Sequence, residues 1–118
     1  MQETKELVDQ LCAAIYEKKG EEIMVVDVAE LTIVAEHFII CSGRSTPHIK
    51  ALAEELEEKM ERQGVYATRK EGLKEGRWIV LDYGPVIVHI FNREERLIYD
   101  LEALWSNGEN CHHYQPEA

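Results

Sequence analysis

A chain of 118 residues, 45% hydrophobic and carrying two Trp and five Tyr, can build a core without staples, which argues against disorder and leads to the expectation of one domain. Its 23 Asp and Glu against 13 Lys and Arg give a formal net charge of -10, which opposes direct docking on phosphate backbones and suits a basic protein surface. Cys12, Cys41 and Cys111 show no paired spacing, the start MQETKELVDQ has no targeting pattern, and no apolar run approaches a membrane span, so a cytoplasmic protein with reduced thiols is expected.

In chain order, Leu7, Val8, Leu11, Cys12 and Ile15 recur at helical spacing and predict a helix over about residues 3–18, stopped by Lys18, Lys19 and Gly20. Residues 23–28 and 38–41 are short β-branched runs, as expected for strands covered on both faces, and residues 29–36 between them carry no assignable pattern. Ser45 or Thr46 then caps a second helix with Pro47 in its first turn, and Ile49, Leu52, Ala53, Leu56 and Met60 give it an apolar stripe to about Gln63. Its other side, Glu54, Glu55, Glu57, Glu58 and Glu61, reads as a solvated face with Glu55–Lys59 and Glu58–Arg62 pairs. Residues 65–70 alternate like a strand, residues 93–98 are charged and turn-like, and YDLEALW leads to a helical finish. A single domain over residues 1–106 with a polar, flexible tail over 107–118 is the expected organisation. The fold class is α+β or α/β: a mixed sheet of about five strands flanked by helices.

Residues 76–92, GRWIVLDYGPVIVHIFN, read as a hairpin turning over Gly84 and Pro85. A two-residue loop sets Trp78 opposite Phe91, Val80 opposite His89 and Asp82 opposite Ile87. One face is then Ile79, Leu81, Tyr83, Val86, Val88 and Ile90, which is core. The other is Trp78, Val80, Asp82, Ile87, His89 and Phe91, a mixture suited to a surface that becomes covered on docking, although a helix of the same chain would serve equally.

Residues for chemistry are sparse. No phosphate-binding glycine fingerprint is present, and Gly43, Arg44 and Ser45 before a helix are the nearest approach to an anion site. Asp27 and Asp82 stand alone rather than as a metal-holding pair, and Cys111, His112 and His113 lack a second ligand pair at zinc spacing. Cys41 with His48 or His89, and Asp82 with His89, are the remaining catalytic combinations. No metal or cofactor is expected. Arg69, Lys70, Lys74 and Arg77 form the most basic patch, diluted by Glu71 and Glu75, and fit at most a minor RNA contact.

The blocks EHFIICSGRSTPHIKALAEEL, EG followed by GRWIVLDYGPVIVHIF, and EERLIYDLEALW resemble the ribosomal silencing factor family (RsfS, or Iojap) over roughly residues 5–106. The resemblance implies a nucleotidyltransferase-like mixed sheet without the catalytic carboxylates, and no enzymatic activity. It further implies binding to ribosomal protein fourteen of the large ribosomal subunit, which blocks joining of the small subunit and represses translation. Carried onto matching positions, it implies that Trp78, Asp82, His89, Tyr99, Asp100, Leu104 and Trp105 lie on or support the docking surface, with Trp105 alternatively closing the core. Two departures stand out: Glu36, His37 and Phe38 where the family commonly has Asp-Tyr-Phe, and Pro85 where an acid often follows Tyr83 and Gly84. The competing readings are a nucleotide-binding or nucleotidyltransferase-like enzyme and a homodimer formed through the half-apolar sheet face.

Overall fold

In the computed structural model, which describes residues 2–116, the first apolar stripe forms α1 (Gln2–Glu17), and the two β-branched runs form β1 (Glu21–Asp27) and β2 (His37–Gly43). Helix α2 (Thr46–Glu61) follows, capped by the Ser45 side chain accepting from His48 N with Pro47 in the first turn. The paired strands β3 (Arg69–Glu71), β4 (Trp78–Asp82) and β5 (Val86–Asn92) come next, then the short helices α3 (Arg93–Tyr99) and α4 (Leu101–Trp105), and finally β6 (Cys111–His113).

The six strands form one mixed sheet in the order β3-β4-β5-β2-β1-β6. Only β2 and β5 run parallel; the other neighbours are antiparallel. This central parallel pair is buried along almost its whole length, which is why residues 38–41 form a continuous apolar run and residues 86–91 one interrupted by His89 alone. The hairpin register is Trp78 with Phe91, Val80 with His89 and Asp82 with Ile87, and Tyr83 N donates to Val86 O at 2.9 Å across the Gly84–Pro85 corner.

That register sorts the sheet into two faces of unlike cover. Ile79, Leu81, Tyr83, Val86, Val88 and Ile90 join Leu11, Ile15, Ile39, Ile49, Leu52 and Leu56 in the main core beneath α1 and α2. On the other side Val26, Val28, Ala35, Phe38, Ile40, Ile87 and Phe91 form a smaller cluster, against which Trp78, Val80, Leu101 and Trp105 pack. The short helices therefore roof only part of this second face. The helical pairs Lys59–Glu55 and Arg62–Glu58 are present at 3.5 and 3.6 Å.

Three segments depart from their sequence patterns. Of residues 65–70 only the end is strand, because Val65 N closes α2 on Met60 O and pairing begins at Thr68 N with Asp82 O. Residues 93–99 are a helix, not a turn. The Asn92 side chain accepts from Glu95 N at 2.7 Å, and Glu94 and Glu95 sit at the positive end of the helix dipole, so the charges mark a helix start. Residues 107–118 were expected as a flexible tail, yet Cys111–His113 pair with β1 and make a sixth strand. The pairing meets backbone groups that β1 would otherwise leave open at the sheet edge, which its polar side chains do not oppose.

The turn that delivers Trp78 to β4 depends on Gly72, whose φ is +78 and where a Cβ would lie 1.9 Å from the Trp78 carbonyl oxygen. Gly84 has φ +91 but open space around it. Gly84→Ala is expected to cost about 1 kcal/mol from the left-handed backbone alone, and Gly72→Ala at least about 1 kcal/mol more. Urea denaturation of the two variants checks this; equal losses would show that the turn relaxes around a side chain.

Candidate docking face

Trp78 leaves the sheet on its second face and meets rings on three sides. It stacks on Phe91 at 4.8 Å, lies 4.7 Å from Tyr99 of α3, and donates its indole N–H to His89 Nδ1 at 3.1 Å. His89 is edge-on to Phe38 at 5.2 Å, and Phe38 is edge-on to Trp105 at 5.3 Å. The aromatic seam thus runs from α3 across β4, β5 and β2 to the end of α4. Because Nδ1 accepts from Trp78, the ring proton of neutral His89 resides on Nε2, which is buried without a partner. Burial alone lowers the His89 pKa from its ordinary 6.5 to about 4.

Above the seam, Arg96 fixes the two short helices. Its Nε and Nη2 donate to Glu102 Oε2 of α4 at 2.8 and 2.6 Å, and its Nη1 donates to Ser42 Oγ of β2 at 2.8 Å. The Arg96 side chain is only 11% exposed. Between the helices Asp100 adopts φ 46, a left-handed residue that ends α3, with its N–H bonded to Arg96 O. The chain bends there, and Leu97, Ile98, Tyr99 and Leu104 are turned to solvent, 80, 73, 50 and 70% exposed.

The expected site residues divide. Trp78, His89, Tyr99 and Trp105 are brought together by the seam, with Trp78 and Trp105 half-buried and His89 buried. Trp105 packs on the second cluster and still borders the surface. Asp100 and Leu104 are exposed on the same roof. Asp82 is a diagonal neighbour of His89 in register, but its Oδ1 accepts from Gly84 N at 2.8 Å, so it holds the hairpin corner. Arg96, Leu97 and Ile98 were missed. The adjacent pair Leu97–Ile98 followed by Tyr99 was the available signal, overshadowed by the charges before it.

The groups considered for chemistry are occupied otherwise. Arg44 N donates to His48 Nδ1 at 3.0 Å, and His48 Nε2 lies 2.8 Å from Lys18 O, so the turn before α2 ties the two long helices together. Burial pushes the Cys41 thiol up to about 12, away from nucleophilic use. Among the described residues no three His, Cys, Asp or Glu side chains are grouped to hold a metal, and no helix is long and apolar enough to cross a membrane.

Comparison with known proteins decides the family. The model of the RsfS family, described as ribosomal silencing factor during starvation, matches residues 1–118. The chain belongs to the RsfS family. A family relative from Bacillus subtilis, ribosomal silencing factor RsfS, is 35% identical over 104 residues, 88% of this chain and 88% of that protein. A mouse protein named mitochondrial assembly of ribosomal large subunit protein 1 is 28% identical over 84% of this chain and 45% of its own length. The crystal structure of a Chromobacterium violaceum protein superposes with a TM-score of 0.84 at 31% identity, covering 96% of this chain and 89% of that one. The open six-stranded mixed sheet flanked by helices is thus the RsfS family architecture.

Two outcomes are expected of this face. The unfolded chain binds a proton at His89 below pH 6.5 while the folded chain resists it until about pH 4, so stability is full above 6.5 and falls through that window, by on the order of 3 kcal/mol. Subtracting the pH profile of His89→Gln from that of the unmutated protein isolates this contribution, and parallel profiles would refute it. Arg96→Met leaves Glu102 without its partner and should cost about 2–3 kcal/mol, with faster amide exchange confined first to residues 93–105. Exchange that rises uniformly would show no local anchoring.

Proposed function

We propose that this chain docks through the roof of α3 and α4 onto ribosomal protein fourteen of the large ribosomal subunit and blocks joining of the small subunit, repressing translation. The observation that carries the reading is the exposed apolar set Leu97, Ile98, Tyr99 and Leu104, held on a rigid seam in a chain of net charge -10. Membership of the RsfS family and the large-subunit name of the mouse relative support the same partner.

The mechanism is steric and breaks no bond. A domain seated where the subunits meet occupies volume the small subunit requires. Acidic charge speeds encounter with a basic protein, and a few desolvated side chains supply most of the affinity. Trp78 contributes as a platform, since its N–H is already used by His89. The basic edge adds a minor rRNA contact at most: Lys70 pairs with Glu57 at 2.5 Å and Arg69 approaches Glu71 at 3.9 Å, which leaves exposed Lys74 and Arg77 as the residues for it. The charge of -10 on each copy opposes a homodimer as the docking form. The site is cytoplasmic if the ribosomes it meets are.

Tyr99→Ala and Leu104→Ala are each expected to weaken binding to isolated ribosomal protein fourteen by about tenfold or more, with melting temperature unchanged in Leu104→Ala and slightly lowered in Tyr99→Ala by the lost contact with Trp78. Co-sedimentation with large subunits and a subunit-joining assay read the consequence. Unchanged affinity in both variants would remove the roof from the interface.

A further inference from the structure

The connection between β1 and β2, which carried no pattern in the sequence, exposes a second apolar group. Leu31 is 47% exposed, Val34 65% and Ile33 fully, at 104%. A loop gains nothing for its own fold by holding three aliphatic side chains out in water, and scattered exposed residues would not cluster within four positions. Beneath them a cleft of about 700 Å³ is lined by Thr4, Ile33, Ala35, Glu36, Gly84 and Pro85 among others.

The loop is held firmly at both ends. Pro85 O accepts from Glu36 N at 2.8 Å and from His37 N at 3.1 Å, tying the loop to the hairpin corner. At its start Val28 N donates to Glu36 O at 2.9 Å, and Asp27 Oδ1 accepts from Ala29 N at 3.1 Å. Asn110 then links this base to the roof: its Nδ2 donates to Asp27 O at 2.8 Å and to Trp105 O at 2.9 Å. Val28 and Ala35, the inner residues of the loop, belong to the same cluster on which Leu101 and Trp105 pack. The loop and α4 are therefore neighbours on one sheet face, at a spacing fixed by hydrogen bonds.

We infer that the Leu31, Ile33 and Val34 loop is a second anchor of the docking face, inserting its aliphatic side chains into an apolar socket rimmed by cationic residues on the partner protein. The inference rests on the proposed docking through α3 and α4 and extends that interface across the adjoining β1–β2 connection. Charge selects the occupant. Asp27 and Glu30 are exposed and Glu36 half-exposed around the apolar tip, so a nucleic acid would bring phosphates against carboxylates and offer no socket for Ile33. A second copy of this chain would bring another net charge of -10 to the same rim. A basic protein surface meets both requirements.

Ile33→Glu, Ile33→Leu and Tyr99→Ala in the full chain, titrated against isolated large ribosomal subunits, test this. Ile33→Glu is expected to weaken binding at least tenfold with unchanged melting temperature and far-ultraviolet circular dichroism, while Ile33→Leu stays within about threefold of the unmutated chain. Normal binding by Ile33→Glu alongside weakened Tyr99→Ala overturns the second anchor and leaves the roof standing. Failure of the unmutated chain to bind large subunits overturns the docking proposal and this one with it. A dimer in sedimentation that Ile33→Glu dissociates would make a second copy the occupant and overturn the assignment to a basic partner.

Discussion

One guanidinium organises the exposed side of this molecule. Helices of seven and five residues are too short to persist on their own, and neither α3 nor α4 contains a buried residue. They are held by the reach of Arg96 to Glu102 on one side and Ser42 on the other, by Arg93 donating to Glu21 and by Leu101 and Trp105 packing on the second cluster, with the left-handed Asp100 setting the angle between them. A lysine could supply the charge there but not a planar group that sends two donors to one carboxylate oxygen and a third to a hydroxyl. The consequence is a surface on which Arg96 and Glu102 are turned in while Leu97, Ile98, Tyr99 and Leu104 point outward.

The two sheet faces are covered in different ways. The first is sealed by two sixteen-residue helices and holds the larger of the two buried clusters. The second is covered by rings rather than by long helices, and those rings satisfy one another: Trp78 donates to His89, and Phe38 bridges His89 to Trp105. A face of this kind is rigid without being closed, which lowers the ordering cost that a partner would otherwise meet. The polar residues that gave the fold an enzyme-like look, Asp82, His48 and His89, are all engaged in structural bonds.

Much of this was readable from residue spacing. The hairpin register follows from period-two alternation and a Gly-Pro corner, and a slip of one residue would have put Ile79 and Leu81 in water. The helical stripes of α1 and α2 were legible for the same reason, since each buries one face against a large core. Residues 93–99 were not, because charged helix starts and charged turns have similar composition, and only the Asn92 cap distinguishes them. Strand β6 was hidden because an edge strand of three polar residues is specified by the open backbone of β1 rather than by its own side chains. Of the candidate site, the aromatic members were visible as residues out of place among Val and Ile. Arg96, whose partners lie on β2 and α4, and the loop at Ile33, whose meaning lies in its exposure, required three dimensions.

The parallel pairing at the sheet centre has a kinetic corollary. Residues 37–43 cannot meet residues 86–92 until both have been synthesised, and the outermost strand waits for residues 111–113. Long-range closure of this type is slow compared with helix formation, so the nascent chain holds its early helices well before its central pair exists. The roof formed by α3 and α4 rests on that pair and completes only after the two strands have met. The apolar roof is thus a late product of folding, dependent on the sheet's most distant contacts.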